Sequence, residues 1–517
     1  MIEDKPEIVK PALTELKKNF LTGQTKDLKF RKKQIQNMLQ GLKDLEPEFN
    51  QALIKDLGAS EFFSKIFNVA SSKADIEHTL HGFEKWAQPK KYDTSMLTGP
   101  ASSYVQFEPF GVALIIGAWN YPLFLTLCPA AQAIAAGNCV IVKPSEMAPE
   151  SSKVVAKLFG KYLDPRFYRV LEGGYKVVNE CTHSPFDLIL FTGSSEKGKL
   201  VAKAAAENLV PCILELGGKS PTIVDKDVNM ENAILRITQG RFLNAGQTCI
   251  AADFVLCHES VIDEFTRRIK EKVREFYGED ASKSNAYCKI INEMHTERIK
   301  SLLDENHGGK IITGGKVIVN QRYVEPTVIL NPRPDSKMMQ EEIFGPILPI
   351  IPFKHIDQAI QFVNDRPKPL VLYYFGKQNK DKVNQQTSSG NYSINECVFH
   401  CANSDLVFGG VQNSGMGGYH GQMGFENMSH KKGIFNKLPI NSFPFNARYP
   451  PYTAGRQKIL LTLFDYMNIS QAKTLRNLGF VLSIGISYGI YRSGYLTPFI
   501  NSMKPYISET FNKLSKL

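Results

Sequence analysis

The chain has 517 residues, 43% hydrophobic and 22% charged, which is too long for one ordinary domain and too apolar and evenly mixed for a disordered one. Its net charge of +11 is concentrated at the end: from His430 to Leu517 twelve Lys/Arg face two acids, Asp465 and Glu509. No basic face interleaved with aromatics appears elsewhere, which argues against a nucleic-acid partner and directs the basic tail toward an anionic membrane surface. The nine cysteines include no CxxC pair, and the N-terminus has no apolar signal core; both exclude a secreted disulfide scaffold and point to a reducing compartment.

In chain order, residues 1 to about 80 carry apolar residues at three- and four-residue spacing, as in "IQNMLQGLKDLEPEFNQALIKDL", and predict helices. After the polar stretch "QPKKYDTSMLTGPAS" the pattern becomes strand alternating with helix: "VALIIGAW", "CVIVKPS", "FYRVLEGG", "LILFTGS" and "CILELGG". Such alternation predicts βαβ units and a parallel sheet, the organisation of a nucleotide-binding domain. A second alternating set, with helical "SVIDEFTRRIKEKVREFYG" and strand-like "YVEPTVIL", "ILPIIPF" and "LVLYYFG", predicts a second α/β domain. The Gly-rich "VFGGVQNSGMGGYHG" closes it, and the Pro-rich "PINSFPFNARYPPY" leads into the tail.

Metal chemistry finds little support. His78 and His81, and Cys397 and Cys401, are spaced for a shared face but lack two further ligands at a recognised spacing. "LELGGKSP" contains the GKS of a phosphate loop, but Ile213 stands where the loop needs glycine. The glycines of "NSGMGGYHG" do not fall into a dinucleotide fingerprint. "FTGSSEKGK" is better placed, because Gly193 and Gly198 lie between a strand and a helix, where backbone N–H groups can hold a pyrophosphate.

Cys249 follows Gly246, Gln247 and Thr248, on a turn where backbone N–H groups can face the carbon that the sulfur attacks. Most free cysteines are small core residues; a helix N-terminus or a neighbouring cation would make this one a nucleophile by raising its thiolate fraction. Glu215, at an apolar strand end, gains basicity if buried, or else pairs structurally with a lysine such as Lys219. Asn120 either donates its amide to an oxyanion or is an ordinary turn residue.

"GAWNYP", "VIVKPSE", "FTGS", "LELGGKSP", "GQTC" and "EEIFGPILPI", in this order over residues 10 to 440, resemble the NAD(P)-dependent aldehyde dehydrogenases. "NSGMGGYHG" followed by "FENMSHKKG", with the extended tail, resembles the family 3, fatty-aldehyde branch, including its membrane-anchored and fungal members. The resemblance implies an α/β fold: a Rossmann-like NAD-binding domain (1–80 and 106–218), an α/β catalytic domain (219–425), a small β oligomerisation arm (81–105 and 426–452) and a tail (453–517). It implies Cys249 as nucleophile, Asn120 with the Cys249 N–H as oxyanion donors, and Glu215 as the base for water. Lys143 and Glu146 would hold the adenosine ribose, Gly193, Ser194 and Gly198 would lie by the phosphates, and Trp119, Glu342 and Phe344 would border the nicotinamide. Glu146 should repel a 2′-phosphate, so NAD is expected ahead of NADP. An aliphatic aldehyde substrate and a homodimer are also implied. The chain departs from the family 3 pattern in "AWNYP" for "PWNYP" and "CIAADF" for "CIAPDY". The alternatives are a cofactor-independent thiol hydrolase or acyltransferase, action on aromatic aldehydes, and a non-catalytic membrane scaffold.

Leu478 to Tyr491 is uncharged for fourteen residues, and extension through Arg492 to residue 500 reaches spanning length with one arginine near an interface. Lys473 and Arg476 flank its near side. The stretch is read as a membrane anchor, with a docked amphipathic helix as the alternative. The catalytic body would then face the cytosol at the endoplasmic reticulum, mitochondrial outer membrane, peroxisome or lipid droplet.

Overall fold

The apolar runs that alternate with helices along residues 112–216 each form a strand: β1 (Val112–Ile116), β2 (Cys139–Lys143), β4 (Leu188–Gly193) and β5 (Cys212–Leu216) with nearly every residue buried, and the short edge strand β3 (Tyr168–Val170) with only Tyr168 buried. Continuous rather than alternating hydrophobicity is what a parallel strand covered on both faces requires. The computed structural model describes residues 5–98, 100–440, 444–465, 473 and 477. The second set of strands is β6 (Pro221–Val224), β7 (Phe254–His258), β8 (Lys310–Thr313), β9 (Thr327–Leu330), β10 (Ile347–Phe353), β11 (Val371–Phe375) and β12 (Asn391–Ile394). Last comes β13, the two residues Gly415–Met416.

Two sheets result. The first has the order β13-β5-β4-β1-β2-β3 and is parallel except for β13; the second has the order β8-β9-β10-β7-β6-β11-β12 and is parallel except for β8. In the first, the chain runs outward from β1 through β2 to β3 and then returns to place β4 on the other side of β1. The ends of β1 and β4 therefore form a topological switch point, where open α/β sheets leave a crevice for ligand.

The expected strand "YVEPTVIL" is divided. Pro326 has no N–H to give a ladder, and the segment becomes a two-residue ribbon strand, Tyr323–Val324, followed by β9. The Gly-rich stretch is more than a loop, because Gly415 pairs with Glu215 across the edge of the first sheet. A Cβ on Gly415 would collide with the Leu214 carbonyl, so only glycine lets this segment close against β5.

Both sheets and the N-terminal helices belong to one compact unit, residues 1–88 and 107–430. Helix Leu28–Asp44 packs on helices Phe124–Ala136 and Pro149–Tyr162, and helix Ser71–Trp86 also packs on Phe124–Ala136. Arg31 joins two of these layers from within. Its buried guanidinium donates to the carbonyls of Thr25 (2.7 Å), Ala135 (3.0 Å) and Lys26 (3.1 Å). The second unit comprises residues 89–106 and 431–517. Most of a sheet of Lys90–Tyr92, Ala101–Pro109 and Ser429–Lys437, in that order with Lys91 opposite Tyr104, falls in it, as does a helix, Ala454–Asp465, against the turn Met96–Thr98. Among the described residues no helix is long and apolar enough to cross a membrane; the anchor expected at 478–500 lies outside them.

Arg31→Ala would leave three carbonyls without their donor and a cavity between helices. We expect it to lower unfolding free energy by about 2–4 kcal/mol, read as a fall in urea midpoint with the activity of the folded fraction retained.

Candidate active site

Cys249 sits just beyond a turn that the backbone alone would not favour. After helix Met230–Phe242, residues Asn244, Ala245 and Gly246 all take left-handed conformations, with φ of 52°, 51° and 74°. Two of the three carry a Cβ, so the turn must be held from outside. Asn244 Nδ2 donates to Asn120 O (2.9 Å), and Asn120 Nδ2 donates to Gln247 O (3.0 Å). The Gln247 amide donates to Asn244 O and Lys289 O, both at 3.0 Å, and accepts from Ile291 N at 2.9 Å. Asn120 is therefore both a turn residue and an amide directed at the nucleophile loop.

A buried ion network fixes this turn against the segment "EEIFGP". Asp253 accepts from Arg241 Nη1 (3.2 Å), Lys219 Nζ (2.5 Å) and Ile343 N (3.1 Å), while Arg241 Nη2 donates to Gly345 O. Arg241 and Asp253 are buried. At Gly246 any Cβ would collide with that same Gly345 carbonyl, which explains the glycine before "QTC". Lys219 is thus the partner of Asp253, and the structural pairing of Lys219 with Glu215 does not form. The substituted residues beside the nucleophile fit this frame. Ala252 lends its carbonyl to Arg241 (3.2 Å), and Phe254 packs on Phe362 with ring centroids 5.7 Å apart and under the Lys219 ammonium.

Asn120, Glu215 and Cys249 converge on one cavity of about 300 Å³. Its walls are mostly apolar and include Phe67, Phe124, Leu125, Ile250 and Phe399. Glu215, the next-to-last residue of β5, is buried, and neither carboxyl oxygen has a hydrogen-bond partner. Burial raises its pKa well above the ordinary carboxylate range. The Cys249 thiol is likewise pushed far up, first by burial and then by the charges of Glu342 and Glu215. The condition that would acidify the thiol, a cation or helix N-terminus beside it, has no counterpart among the groups that shift it, which after burial are the acids Glu342 and Glu215. Two cavity residues lie in motifs quoted from the sequence, Tyr121 in "GAWNYP" and His420 in "NSGMGGYHG", but no role for them is legible there, because it depends on the fold. Tyr121 shares a 2.8 Å hydrogen bond with Thr248, and His420 is buried with neither ring nitrogen hydrogen-bonded.

The cofactor candidates gather at the carboxyl ends of the first sheet. Trp119 follows β1 and meets Phe344 edge-on, centroids 5.3 Å apart. Phe344 has a φ of 45°. Glu342 is raised to about 8 by burial and Asp253, against the opposing backbone N–H of Gly218, and a Cβ on Gly217 would collide with its carboxylate. Lys143, at the end of β2, is buried; its ammonium meets Pro144 O and Gly173 O (2.5 Å each) and Glu146 Oε2 (3.0 Å), and Glu146 is partly exposed. Gly193 ends β4, and Ser194 caps helix Ser195–Glu207 by accepting from Lys197 N. Gly198 needs correction: its N–H donates to Ser194 O (2.9 Å) and its Cα abuts Leu216, so it serves close helix–strand packing and has no N–H left for a phosphate. Thr192 Oγ1, buried beside Gly193, has no partner. A free hydroxyl, a helix N-terminus and an aromatic pair at a switch point suit a dinucleotide. Among the described residues no three His, Cys, Asp or Glu are grouped to hold a metal ion.

Residues 3–434 match the aldehyde dehydrogenase family. Aldehyde dehydrogenase family 3 member A2 of Rattus norvegicus is 43% identical over 443 residues, 85% of this chain and 91% of the relative. The dimeric NADP-preferring aldehyde dehydrogenase of Rattus norvegicus is 41% identical, over 84% of this chain and 96% of the relative. The solved substrate-bound state of Staphylococcus aureus AldH matches with a TM-score of 0.85 and 40% identity, over 88% of this chain and 99% of that one. A cofactor-independent hydrolase is not compatible with this membership. The chain belongs to the aldehyde dehydrogenase family, in its family 3 branch, and is an NAD(P)-dependent oxidoreductase that oxidises aldehydes.

Proposed function

We propose that this enzyme oxidises medium- and long-chain aliphatic aldehydes to carboxylic acids with NAD, through Cys249, Asn120 and Glu215. The observation that carries the reading is the convergence of these three side chains on an otherwise mostly apolar cavity, which favours an alkyl chain over a charged substrate. The Cys249 thiol releases its proton to water, and the thiolate sulfur attacks the aldehyde carbon, forming the C–S bond as the C=O π pair moves onto oxygen. The new oxyanion is held by the Asn120 amide and the Cys249 backbone N–H. A nicotinamide held beside Trp119, Glu342 and Phe344 would supply the hydride acceptor when bound, and loss of that hydride would leave the substrate carbon as a thioester on Cys249. Glu215 then takes a proton from water as the water attacks the thioester carbon, and the acid leaves as Cys249 recovers its proton.

Around this centre, the first sheet and its helices (1–80 and 106–218) are read as the cofactor-binding domain, and residues 219–425 as the catalytic domain. Lys143 and Glu146 would hold the adenosine ribose, Gly193 and Ser194 the phosphates, and Trp119, Glu342 and Phe344 the nicotinamide end. The strands around Tyr104 and after Ser429 are read as arms of a homodimer, a reading supported by a relative named as dimeric. The basic tail is read as the membrane attachment, with the catalytic body in the cytosol beside lipid-dissolved aldehydes.

NADH formation across an aldehyde chain-length series tests the substrate: turnover should rise with alkyl length, and preference for aromatic aldehydes would overturn the reading. Cys249→Ala should abolish turnover. Glu215→Gln should keep a single-turnover burst of NADH and lose steady-state rate by about 10²-fold or more. Because both groups act deprotonated and both are held above their ordinary pKa, the wild-type rate should climb from pH 6 into the alkaline range. The sign for stability is opposite. Glu215 ionises more readily unfolded than folded, so it costs stability as pH rises past its unfolded value; Glu215→Gln should raise the thermal midpoint at pH 8 relative to wild type.

A carboxylate at Glu146 should make kcat/KM for NAD at least ~10-fold higher than for NADP, with Glu146→Gln narrowing the gap. Equal values in the wild type would count against NAD. For the tail, the full chain should sediment with membranes after a high-salt wash, and a chain ending at Tyr452 should not; sedimentation of the shortened chain would refute the attachment.

A further inference from the structure

The segment Lys289–Arg298 contributes to none of the six sequence motifs, yet it touches three of them and the residue that follows a fourth. Lys289 O and Ile291 N hold the Gln247 side chain behind the nucleophile turn. Asn292, which caps helix Glu293–Asp304 by accepting from His295 N (2.8 Å), also places its amide 3.7 Å from Met147 Sδ, next to Glu146. The His295 ring packs on Trp119 with centroids 5.3 Å apart, on a residue that also meets Phe344. Arg298 forks onto two successive carbonyls, Ile343 O (2.5 Å) and Glu342 O (3.5 Å).

That fork bears on a strained place. Phe344 has a φ of 45°, a conformation a bulky L-residue adopts only when its surroundings impose it. Asp253 restrains the loop through Ile343 N, and Arg241 through Gly345 O. These two hold the side of the loop facing the nucleophile. Arg298 reaches the same loop from helix Glu293–Asp304, and His295, one turn earlier on that helix, packs on the Trp119 ring against which Phe344 rests.

We propose that His295 and Arg298 are positioning residues for the cofactor: His295 orients Trp119, and Arg298 sets the loop that presents Glu342 and Phe344, so that one helix end aligns the nicotinamide-facing wall with the nucleophile turn. The inference rests on the reading of Trp119, Glu342 and Phe344 as cofactor contacts. Neither His295 nor Arg298 lines the aldehyde cavity, so the effect falls on cofactor and not on aldehyde binding.

The full-length enzyme contains two tryptophans, so a Trp86→Phe background leaves Trp119 as sole emitter for NADH titrations without turnover. His295→Ala should alter Trp119 emission before any cofactor is added, because the ring packed on it is gone. Arg298→Gln should raise the NADH Kd and the NAD KM by about tenfold, with the aldehyde KM unchanged. Arg298→Lys keeps the charge but cannot span both carbonyls, so it should rescue only partly. Unchanged NADH Kd in both His295→Ala and Arg298→Gln, with circular dichroism confirming a folded chain, would overturn the proposal, as would full rescue by lysine. Glu342→Gln and Phe344→Ala separate the two levels. If they weaken NADH binding while the His295 and Arg298 variants do not, only the positioning role fails; if they too bind normally, the assignment of the cofactor wall fails.

Discussion

The active site depends on a buried ionic junction at Asp253. One carboxylate accepts from Arg241, from Lys219 and from the backbone of Ile343, and so ties the nucleophile turn, the strand exit at "LELGGK" and the loop "EEIFGP" to a single point. A buried charge is costly unless its partners are complete. That cost is offset here because the contacts to Arg241, Lys219 and Ile343 are made together. The left-handed run at Asn244–Gly246 and the positive φ of Phe344 are strains that such a junction can hold.

The electrostatic character of the cavity follows from the same packing. The cations nearest the nucleophile turn, Arg241 and Lys219, are committed to Asp253 and to carbonyls, while Glu215 and Glu342 face Cys249 closely enough to raise its thiol. Burial therefore favours the protonated forms of Glu215 and Cys249 in a mostly apolar cavity. Such a site stores little charge until substrate arrives, and its chemistry is gated by deprotonation.

Much of the fold was legible because its signals are local. The runs "VALII", "CVIVK" and "LILF" are continuous in sequence and become the buried parallel strands β1, β2 and β4. Pro326 was visible but its effect on "YVEPTVIL" was not, since the loss of one donor matters only where a neighbouring strand needs it. In "FTGSSEKGK" the two glycines looked alike. Gly198 proved to be a packing glycine because Leu216, on another strand, leaves no room for a Cβ. The Gly-rich "NSGMGGYHG" similarly acquired meaning only where it crosses Glu215.

The sequence by itself determined the family, the α/β class, and the identity of Cys249, Asn120 and Glu215 as candidates, because nucleophile, amide and carboxylate are recognisable as residue types within short, ordered motifs. Only the tertiary structure decided their environment. That Lys219 belongs to Asp253 and not to Glu215, that the acids Glu342 and Glu215 act on the thiol, and that Lys289–Arg298 contacts three motifs from outside all of them are facts about distance between segments far apart in the chain. Motifs record which groups are present; burial and pairing, which set their charge and direction, exist only once the chain has closed around them.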